Sequence, residues 1–119
     1  MIGPAGPNDA AMFDIDDTLI WSDGRPNTPI IHLLHRMKAL GYKIVIITAR
    51  PGIEIGVKMT INQLKEHGIV YDYLGFTSAQ TKTLMKKQLG YNFVLSCGDM
   101  PTDWTDSKYY INTSSSGHN

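Results

Sequence analysis

The chain has 119 residues, which is within the size range of one folded domain and argues against a second one. Eleven basic and eleven acidic side chains give a formal charge of zero, so the composition provides no electrostatic reason for strong non-specific binding to nucleic acid or to an anionic membrane. One cysteine excludes an intramolecular disulfide, and no signal-peptide core or bilayer-length apolar run is present, so we expect a cytoplasmic protein without a membrane partner.

The two ends of the chain differ in composition from its interior. Residues 1–9 are rich in glycine and proline and are predicted to form a flexible N-terminal arm, while residues 113–119 read as a polar, turn-rich tail. The interior shows neither a repeat nor a linker. Residues 1–119 are therefore expected to form a single domain.

The first half of the chain alternates apolar runs with a helical pattern. Residues 10–15 are a short apolar run, and the spacing of apolar residues then predicts a helix over residues 28–41, with its N-cap at Thr28 and its stop at Gly41. The β-branched run over residues 42–49 is too continuous for a strand with one face in water. It predicts a strand that is buried on both faces of a parallel sheet.

The second half continues the alternation with short links. Its patterns predict helices over residues 54–68 and 81–90, and strands over residues 69–76, 92–97 and 108–112. This alternation is typical of a three-layer, doubly wound α/β domain with a Rossmann-like parallel sheet of about five strands. Right-handed crossovers place all strand carboxyl ends along one edge of such a sheet, where ligands bind.

Polar side chains follow three of the predicted strands at that edge. Asp14 and Asp16 come after the first strand, Thr48 ends the second, and Asp99 and Asp103 follow the fourth. Carboxylates that are brought together repel one another and raise one another's pKa unless a cation lies among them. The sequence therefore predicts a site for a hard, oxygen-seeking ion such as Mg²⁺.

Four segments, in order, resemble the motifs of the haloacid dehalogenase-like superfamily of phosphohydrolases. They are DIDDT at residues 14–18, Thr48 after an apolar strand, Lys82 at the start of a helix, and GDMPTD at residues 98–103. The resemblance spans residues 13–103. It implies a Mg²⁺-dependent phosphomonoesterase that works through an aspartyl-phosphate, in the compact form of the fold that lacks a cap domain.

The resemblance also implies a role for each matched residue. Asp14 would attack phosphorus, and Asp16 would protonate the leaving oxygen and later activate water. Thr48 would bind a phosphoryl oxygen through its hydroxyl, and Lys82 would neutralise the phosphoryl charge. Because residues two apart in an extended segment share a face, both aspartates can address one substrate.

The metal ligands implied by the resemblance come from the same segments. Mg²⁺ would be bound by Asp14, by Asp99 and by the backbone carbonyl of Asp16, with Asp103 supporting the metal shell. Many families carry glycine at the position of Asp17, and this residue is equally well explained as a turn former.

For two of these residue assignments, Lys82 and Asp103, the sequence also allows another residue. Lys86 and Lys87 lie on the same predicted helix as Lys82, so the phosphate-neutralising lysine is not decided by the sequence, although Lys82 is nearest the sheet edge. Asp103 fits the spacing of the last motif, and Asp106 is its alternative.

Other residues with reactive or aromatic side chains are better explained by packing. His32 and His35 have no third metal ligand, and Cys97 lies in an apolar strand. Trp21 and Trp104 each follow an active-site motif, so an aromatic platform for a base or sugar is kept as the alternative to packing.

The links that could hold a cap domain are short. Residues 20–27 can form only a hairpin flap, turning at Asp23 and Gly24, and residues 77–80 are fewer still. An open site suits a phosphorylated macromolecule or nucleotide, for example in a polynucleotide 3′-phosphatase or a nucleotide phosphatase. A homo-oligomer whose neighbours cover the site, and a non-catalytic binding module with the same fold, remain alternatives.

Overall fold

The computed structural model describes residues 2–114. Its strands are β1 (Asp9–Phe13), β2 (Lys43–Thr48), β3 (Tyr73–Phe76), β4 (Asn92–Gly98) and β5 (Ser107–Asn112). Its α-helices are α1 (Thr28–Ala39), α2 (Glu54–Glu66), α3 (Lys82–Leu89) and the short α4 (Pro101–Trp104), and a 3₁₀ turn over Ala79–Thr81 precedes α3.

The five strands form one parallel sheet in the order β3-β2-β1-β4-β5. The chain moves outward from β1 through β2 to β3, and then returns to the other side of β1 for β4 and β5. The connection after β1 therefore leads in one direction along the sheet, and the connection after β4 leads in the other. The place where two neighbouring connections part in this way is called a switch point, and α/β sheets bind ligands there. The predicted doubly wound, Rossmann-like α/β fold is confirmed.

Alternate residues of the central strands pack on opposite faces of the sheet. In β2, Ile44 and Ile46 belong to the core that includes Leu34 of α1 and Leu64 of α2. Val45 and Ile47 face the other way, toward a smaller core against which Met85 and Leu89 of α3 pack. Because both faces are covered, the continuous apolar run of β2 is explained, and the domain has three layers.

Most predicted ends of helices and strands lie within two residues of the observed ends, and the short α4 was not predicted. Two further differences concern the start of α1 and the third strand. The N-cap of α1 is Asn27, so the prediction of Thr28 is wrong; the Asn27 side chain donates to the Thr18 carbonyl at 2.8 Å instead of capping the helix. The third strand occupies only the last four residues of the predicted run. Just before it, the Asp72 carboxylate accepts hydrogen bonds from the Lys38 ammonium and the Ile44 amide, each at 2.7 Å.

The ends of the described chain pack against the domain. The Ala5 amide donates to the Leu40 carbonyl at 2.9 Å, and the Tyr42 hydroxyl donates to the Gly3 carbonyl at 2.8 Å, so part of the predicted arm is bound to the segment between α1 and β2. Thr113 is buried, but the rest of the predicted tail beyond residue 114 lies outside the described residues. The assignment of residues 1–119 to one domain stays a prediction.

None of the helices within residues 2–114 combines the length and apolarity that a bilayer crossing requires.

Candidate active site

A cavity of about 170 Å³ lies at the carboxyl ends of β1 and β4. Its walls come from the loop after β1, the start of α3 and the loop after β4. They include Asp14, Asp16, Asp17, Lys82, Asp99 and Thr102. The amide of Asp14 donates to the carbonyl of Cys97 at 3.0 Å, which continues the β1-β4 pairing up to the edge of the cavity.

The Lys82 ammonium lies between two buried carboxylates. It donates to Oδ1 of Asp14 and to Oδ1 of Asp103, both at 2.8 Å, and all three residues are buried. An isolated charge in such a place would be strongly disfavoured, so each of the three groups depends on the others.

This arrangement changes the proton affinities of its members. Burial raises the pKa of Asp14 to about 7, the Lys82 ammonium opposes this rise, and the Asp103 carboxylate adds to it. Burial alone would lower the pKa of Lys82, but the two carboxylates outweigh it and the pKa of Lys82 is raised above its usual value. Lys82 is therefore a cation at neutral pH, whereas Asp14 is only partly ionised near pH 7 unless a further cation joins the site.

Asp103 is placed by a close approach of the backbone. Its Oδ2 accepts a hydrogen bond from the Met100 amide at 3.1 Å. A Cβ atom on Gly98 would lie 2.3 Å from the Cβ of Asp103, so only glycine leaves room for this aspartate behind the end of β4.

The carboxylates of Asp14, Asp99 and Asp103 each offer one oxygen atom, and these three atoms lie within 4.8 Å of one another. They come from two loops that the sheet places side by side. Carboxylate oxygens are the hard donors that Mg²⁺ prefers, so this donor set fits a magnesium ion.

The Asp16 carboxylate is turned toward Arg50, a residue that the sequence analysis did not single out. Nε of Arg50 donates to Oδ2 of Asp16 at 3.0 Å, and Nη2 donates to Oδ1 at 2.8 Å. Arg50 in turn is held by Thr60 and Gln63 of α2. The sequence did contain a signal for Arg50, because this residue stands only two positions after Thr48 and therefore near the same sheet edge.

Thr48 lies at the carboxyl end of β2 and is completely buried. Its Oγ1 accepts a hydrogen bond from the Arg50 amide at 3.1 Å. The next residue, Ala49, reaches the cavity wall, so Thr48 stands just behind that wall.

The three lysines of α3 have different surroundings. Lys82 lines the cavity, Lys87 is exposed, and Lys86 is buried away from the cavity. The Lys86 ammonium donates to Oγ of Ser96 and Oγ of Ser107, both at 2.9 Å, and to the carbonyls of residues 103 and 105. Burial lowers the pKa of Lys86 to about 8. Lys86 thus joins α3, β4 and β5 behind the cavity, and the geometry favours Lys82 as the lysine that faces a ligand.

The two tryptophans contact other parts of the chain. The Trp104 indole donates to the Gly98 carbonyl at 2.9 Å and stacks on Tyr110 with ring centroids 4.8 Å apart. Trp21 lies in the hairpin turn after β1, where its amide donates to the Arg25 carbonyl, and it lines a separate cavity with Ile111. Among the described residues, neither tryptophan lines the cavity that holds Asp14.

Cys97, His32 and His35 do not line this cavity. Cys97 is buried, and burial raises the pKa of its thiol to about 12. His35 is hydrogen-bonded through Nε2 to the Gly68 carbonyl at 3.0 Å, and His32 is exposed.

Comparison with known proteins identifies the family. The family profile of the haloacid dehalogenase-like hydrolases matches residues 11–94, which is more than half of the chain. The chain belongs to this family. The match includes Asp14, Asp16, Thr48 and Lys82 and ends before Asp99. A search of the curated proteins finds no match.

Two solved structures resemble this haloacid dehalogenase-like domain. A chain in a Pnkp1/Rnl/Hen1 complex has a TM-score of 0.67 at 22% identity, over 86% of this chain and 42% of its own length. A chain in the Pnkp1/Rnl/Hen1 RNA repair complex has a TM-score of 0.65 at 23% identity, over 86% of this chain and 39% of its own length. The protein therefore spans about two fifths of each matched chain. At these identities the likeness shows the shared fold.

The contact between Gly98 and Asp103 leads to a stability prediction. Gly98→Ala should lower the free energy of unfolding by about 1–3 kcal/mol, because the added methyl group must displace Asp103. Gly3→Ala is the matched control, since a methyl group added at Gly3 would have no neighbouring atom within 4 Å. Urea unfolding measures both variants, and equal stabilities would contradict the tight packing of Gly98.

A second prediction concerns the buried ammonium of Lys86. Lys86→Met should lower the free energy of unfolding by about 1–3 kcal/mol, because the methionine removes the ammonium donor from the buried Ser96 hydroxyl and from the carbonyls of residues 103 and 105. Lys87→Met, on the exposed side of the same helix, should change the free energy of unfolding little. If urea unfolding gives the two variants the same stability, Lys86 does not stabilise this corner of the domain.

Proposed function

We propose that this haloacid dehalogenase-like hydrolase is a Mg²⁺-dependent phosphomonoesterase that works through an aspartyl-phosphate intermediate at an open, capless site. The observation that carries this proposal is the convergence of three carboxylates and one buried ammonium at the switch point of the sheet. Asp14, Lys82 and Asp99 line the cavity there, and Asp103 is buried beside Lys82. Phosphoryl transfer depends mainly on positioning and on neutralising charge, and this cavity contains groups for both.

Asp14 is the proposed nucleophile. One of its carboxylate oxygens forms a bond to phosphorus while the bond from phosphorus to the ester oxygen breaks. A carboxylate repels an anionic phosphate, so this step needs nearby positive charge, and the Lys82 ammonium at 2.8 Å from Asp14 supplies part of it.

Asp16 is the proposed general acid and base. It gives a proton to the leaving ester oxygen, and it later takes a proton from the water that attacks the aspartyl-phosphate, so that inorganic phosphate leaves and Asp14 is restored. The two hydrogen bonds from Arg50 fix the orientation of the Asp16 carboxylate, and one of them must be released when Asp16 carries the transferred proton. Thr48 is the proposed residue that binds a phosphoryl oxygen; its Oγ1 accepts from the Arg50 amide, and its completely buried side chain lies just behind the cavity wall.

Asp14, Asp99 and Asp103, together with the backbone carbonyl of Asp16, would hold the magnesium ion. When bound, Mg²⁺ supplies positive charge that neutralises the transferring phosphoryl group. Burial is the largest cause of the raised pKa of Asp14, and a bound cation would favour the ionised form that this assignment requires.

A polynucleotide 3′-phosphatase or a nucleotide phosphatase is the second candidate within this chemistry. It is favoured by the fold likeness to a chain of an RNA repair complex and by the short links at residues 20–27 and 77–80. A neutral net charge counts against long nucleic-acid contacts. The intact set of polar side chains counts against a non-catalytic binding module.

A cytoplasmic location and a homo-oligomer that covers the site stay proposals. The single cysteine, which is buried, supports the cytoplasmic location.

The nucleophile is tested by Asp14→Asn. The amide has nearly the same shape but cannot attack phosphorus, so kcat with p-nitrophenyl phosphate or a 3′-phosphorylated oligonucleotide should fall on the order of 10⁴-fold or more. Circular dichroism checks that the variant folds. Asp106→Asn is the matched control, because Asp106 lies outside the cavity, and it should keep its activity. Substantial turnover by folded Asp14→Asn protein would exclude the mechanism.

The metal is tested by thermal unfolding at pH 8, above the pKa of Asp14. Mg²⁺ should raise the melting temperature of the wild type, with a stabilisation of about 2.7 kcal/mol when its concentration is 100 times Kd. Asp99→Ala should remove this shift, whereas Asp106→Asn should keep it. Without metal, Asp99→Ala should be at least as stable as the wild type, since one repelling charge is gone. A full Mg²⁺ shift in Asp99→Ala would place the ion elsewhere.

A further inference from the structure

The hydroxyl of Thr102 stands out among the polar groups of the cavity. Within residues 2–114, Oγ1 of Thr102 is the one buried side-chain nitrogen or oxygen that has no hydrogen-bond partner. Buried polar atoms in native proteins are almost always hydrogen-bonded, and an exception requires an explanation such as a bound ligand. The unpaired hydroxyl therefore indicates that something other than the protein completes this site.

The location of Thr102 narrows what that ligand is. Thr102 lies in α4, one residue before Asp103, and it lines the same cavity as Asp14, Lys82 and Asp99. Its backbone is held in place, because its carbonyl accepts a hydrogen bond from the Thr105 hydroxyl at 3.3 Å. Thr102 thus lines the space where the proposed reaction takes place, and its unpaired hydroxyl oxygen is buried in the wall of that space.

The cavity has many acceptors and few free donors. Its carboxylates are acceptors only when ionised, and two of the three protons of the Lys82 ammonium already go to Asp14 and Asp103. A phosphoryl group brings three more acceptor oxygens into this space. A water molecule bound to a cation would instead donate its protons, and the carboxylates already provide acceptors for them. An uncommitted hydroxyl donor matches the phosphoryl group.

We propose that Thr102 is a substrate-binding residue whose hydroxyl donates a hydrogen bond to an oxygen of the phosphoryl group. This inference rests on the proposed phosphatase function and adds a third phosphate contact to those of Thr48 and Lys82. The substrate recognised is a phosphate monoester, and the contact is made equally by inorganic phosphate, the product.

The proposal predicts an unusual pair of effects for Thr102→Val. In the ligand-free protein the valine replaces an unpaired buried hydroxyl by a methyl group of the same shape, so the melting temperature should stay the same or rise. The affinity for inorganic phosphate should nevertheless fall about tenfold or more, because a hydrogen bond to a charged oxygen is lost. If Thr102 only packed against its neighbours, Thr102→Val would lower the melting temperature and leave the phosphate affinity unchanged.

The experiment compares the wild type, Thr102→Val and Thr102→Ser. Isothermal titration with inorganic phosphate at saturating Mg²⁺ gives the affinity, thermal unfolding gives the ligand-free stability, and p-nitrophenyl phosphate gives kcat/KM. Thr102→Ser should keep the phosphate affinity within about twofold, because it keeps the hydroxyl. Thr83→Val is the matched control, since the Thr83 hydroxyl already pairs with Thr105, and its phosphate affinity should not change.

Several results would overturn the assignment. They are an unchanged phosphate affinity in Thr102→Val, a loss that Thr102→Ser shares, and a loss of Mg²⁺ affinity without a loss of phosphate affinity at saturating Mg²⁺. If Thr102→Val does not fold, Thr102→Ala provides the same comparison with Thr102→Ser. Failure of the proposed function is distinct, because the wild type would then neither bind phosphate nor hydrolyse the ester.

Discussion

The ion pair of the Lys82 ammonium with two buried carboxylates is the interaction on which the rest of the site depends. Asp14 leaves the end of β1 and Asp103 follows β4, and these strands are neighbours only because the sheet order reverses at β1. Without Lys82 the two carboxylates would be buried close together with no compensating charge, which is strongly disfavoured. The lysine therefore couples α3 to both loops and closes the base of the cavity.

The surrounding structure holds this ion pair in position but does not complete its charge balance. Gly98 leaves room for Asp103, and Lys86 binds the backbone carbonyls at residues 103 and 105 from behind. Burial, reinforced by the Asp103 carboxylate, still raises the pKa of Asp14 to about 7, so a further cation beside Asp14 would stabilise its ionised form. A divalent cation and a phosphate monoester together would satisfy both the carboxylates and the unpaired hydroxyl of Thr102.

The sequence predicted those features that follow from local patterns. Apolar runs located the strands, and the rule that parallel strands end at one edge correctly brought Asp14 and Asp99 to one cavity. The position of Arg50 at the sheet edge could be predicted, but its pairing with Asp16 could not. The burial of Lys86 and the unpaired hydroxyl of Thr102 could not be predicted from local patterns either. A lysine on a helix has the same local pattern whether it is exposed or buried, and the burial of Lys86 depends on serines from β4 and β5 that only the folded sheet brings together.

The central claim is that Asp14 forms a covalent bond to phosphorus, and trapping that bond tests it most directly. The protein is mixed with p-nitrophenyl phosphate and Mg²⁺, quenched with acid during turnover and treated with borohydride, which reduces an acyl phosphate to an alcohol. Peptide mass spectrometry then locates the modified residue. The account predicts modification at residue 14, which requires Mg²⁺ and is absent from Asp14→Asn. Turnover with no modification at residue 14, or with modification at another carboxylate, would contradict it.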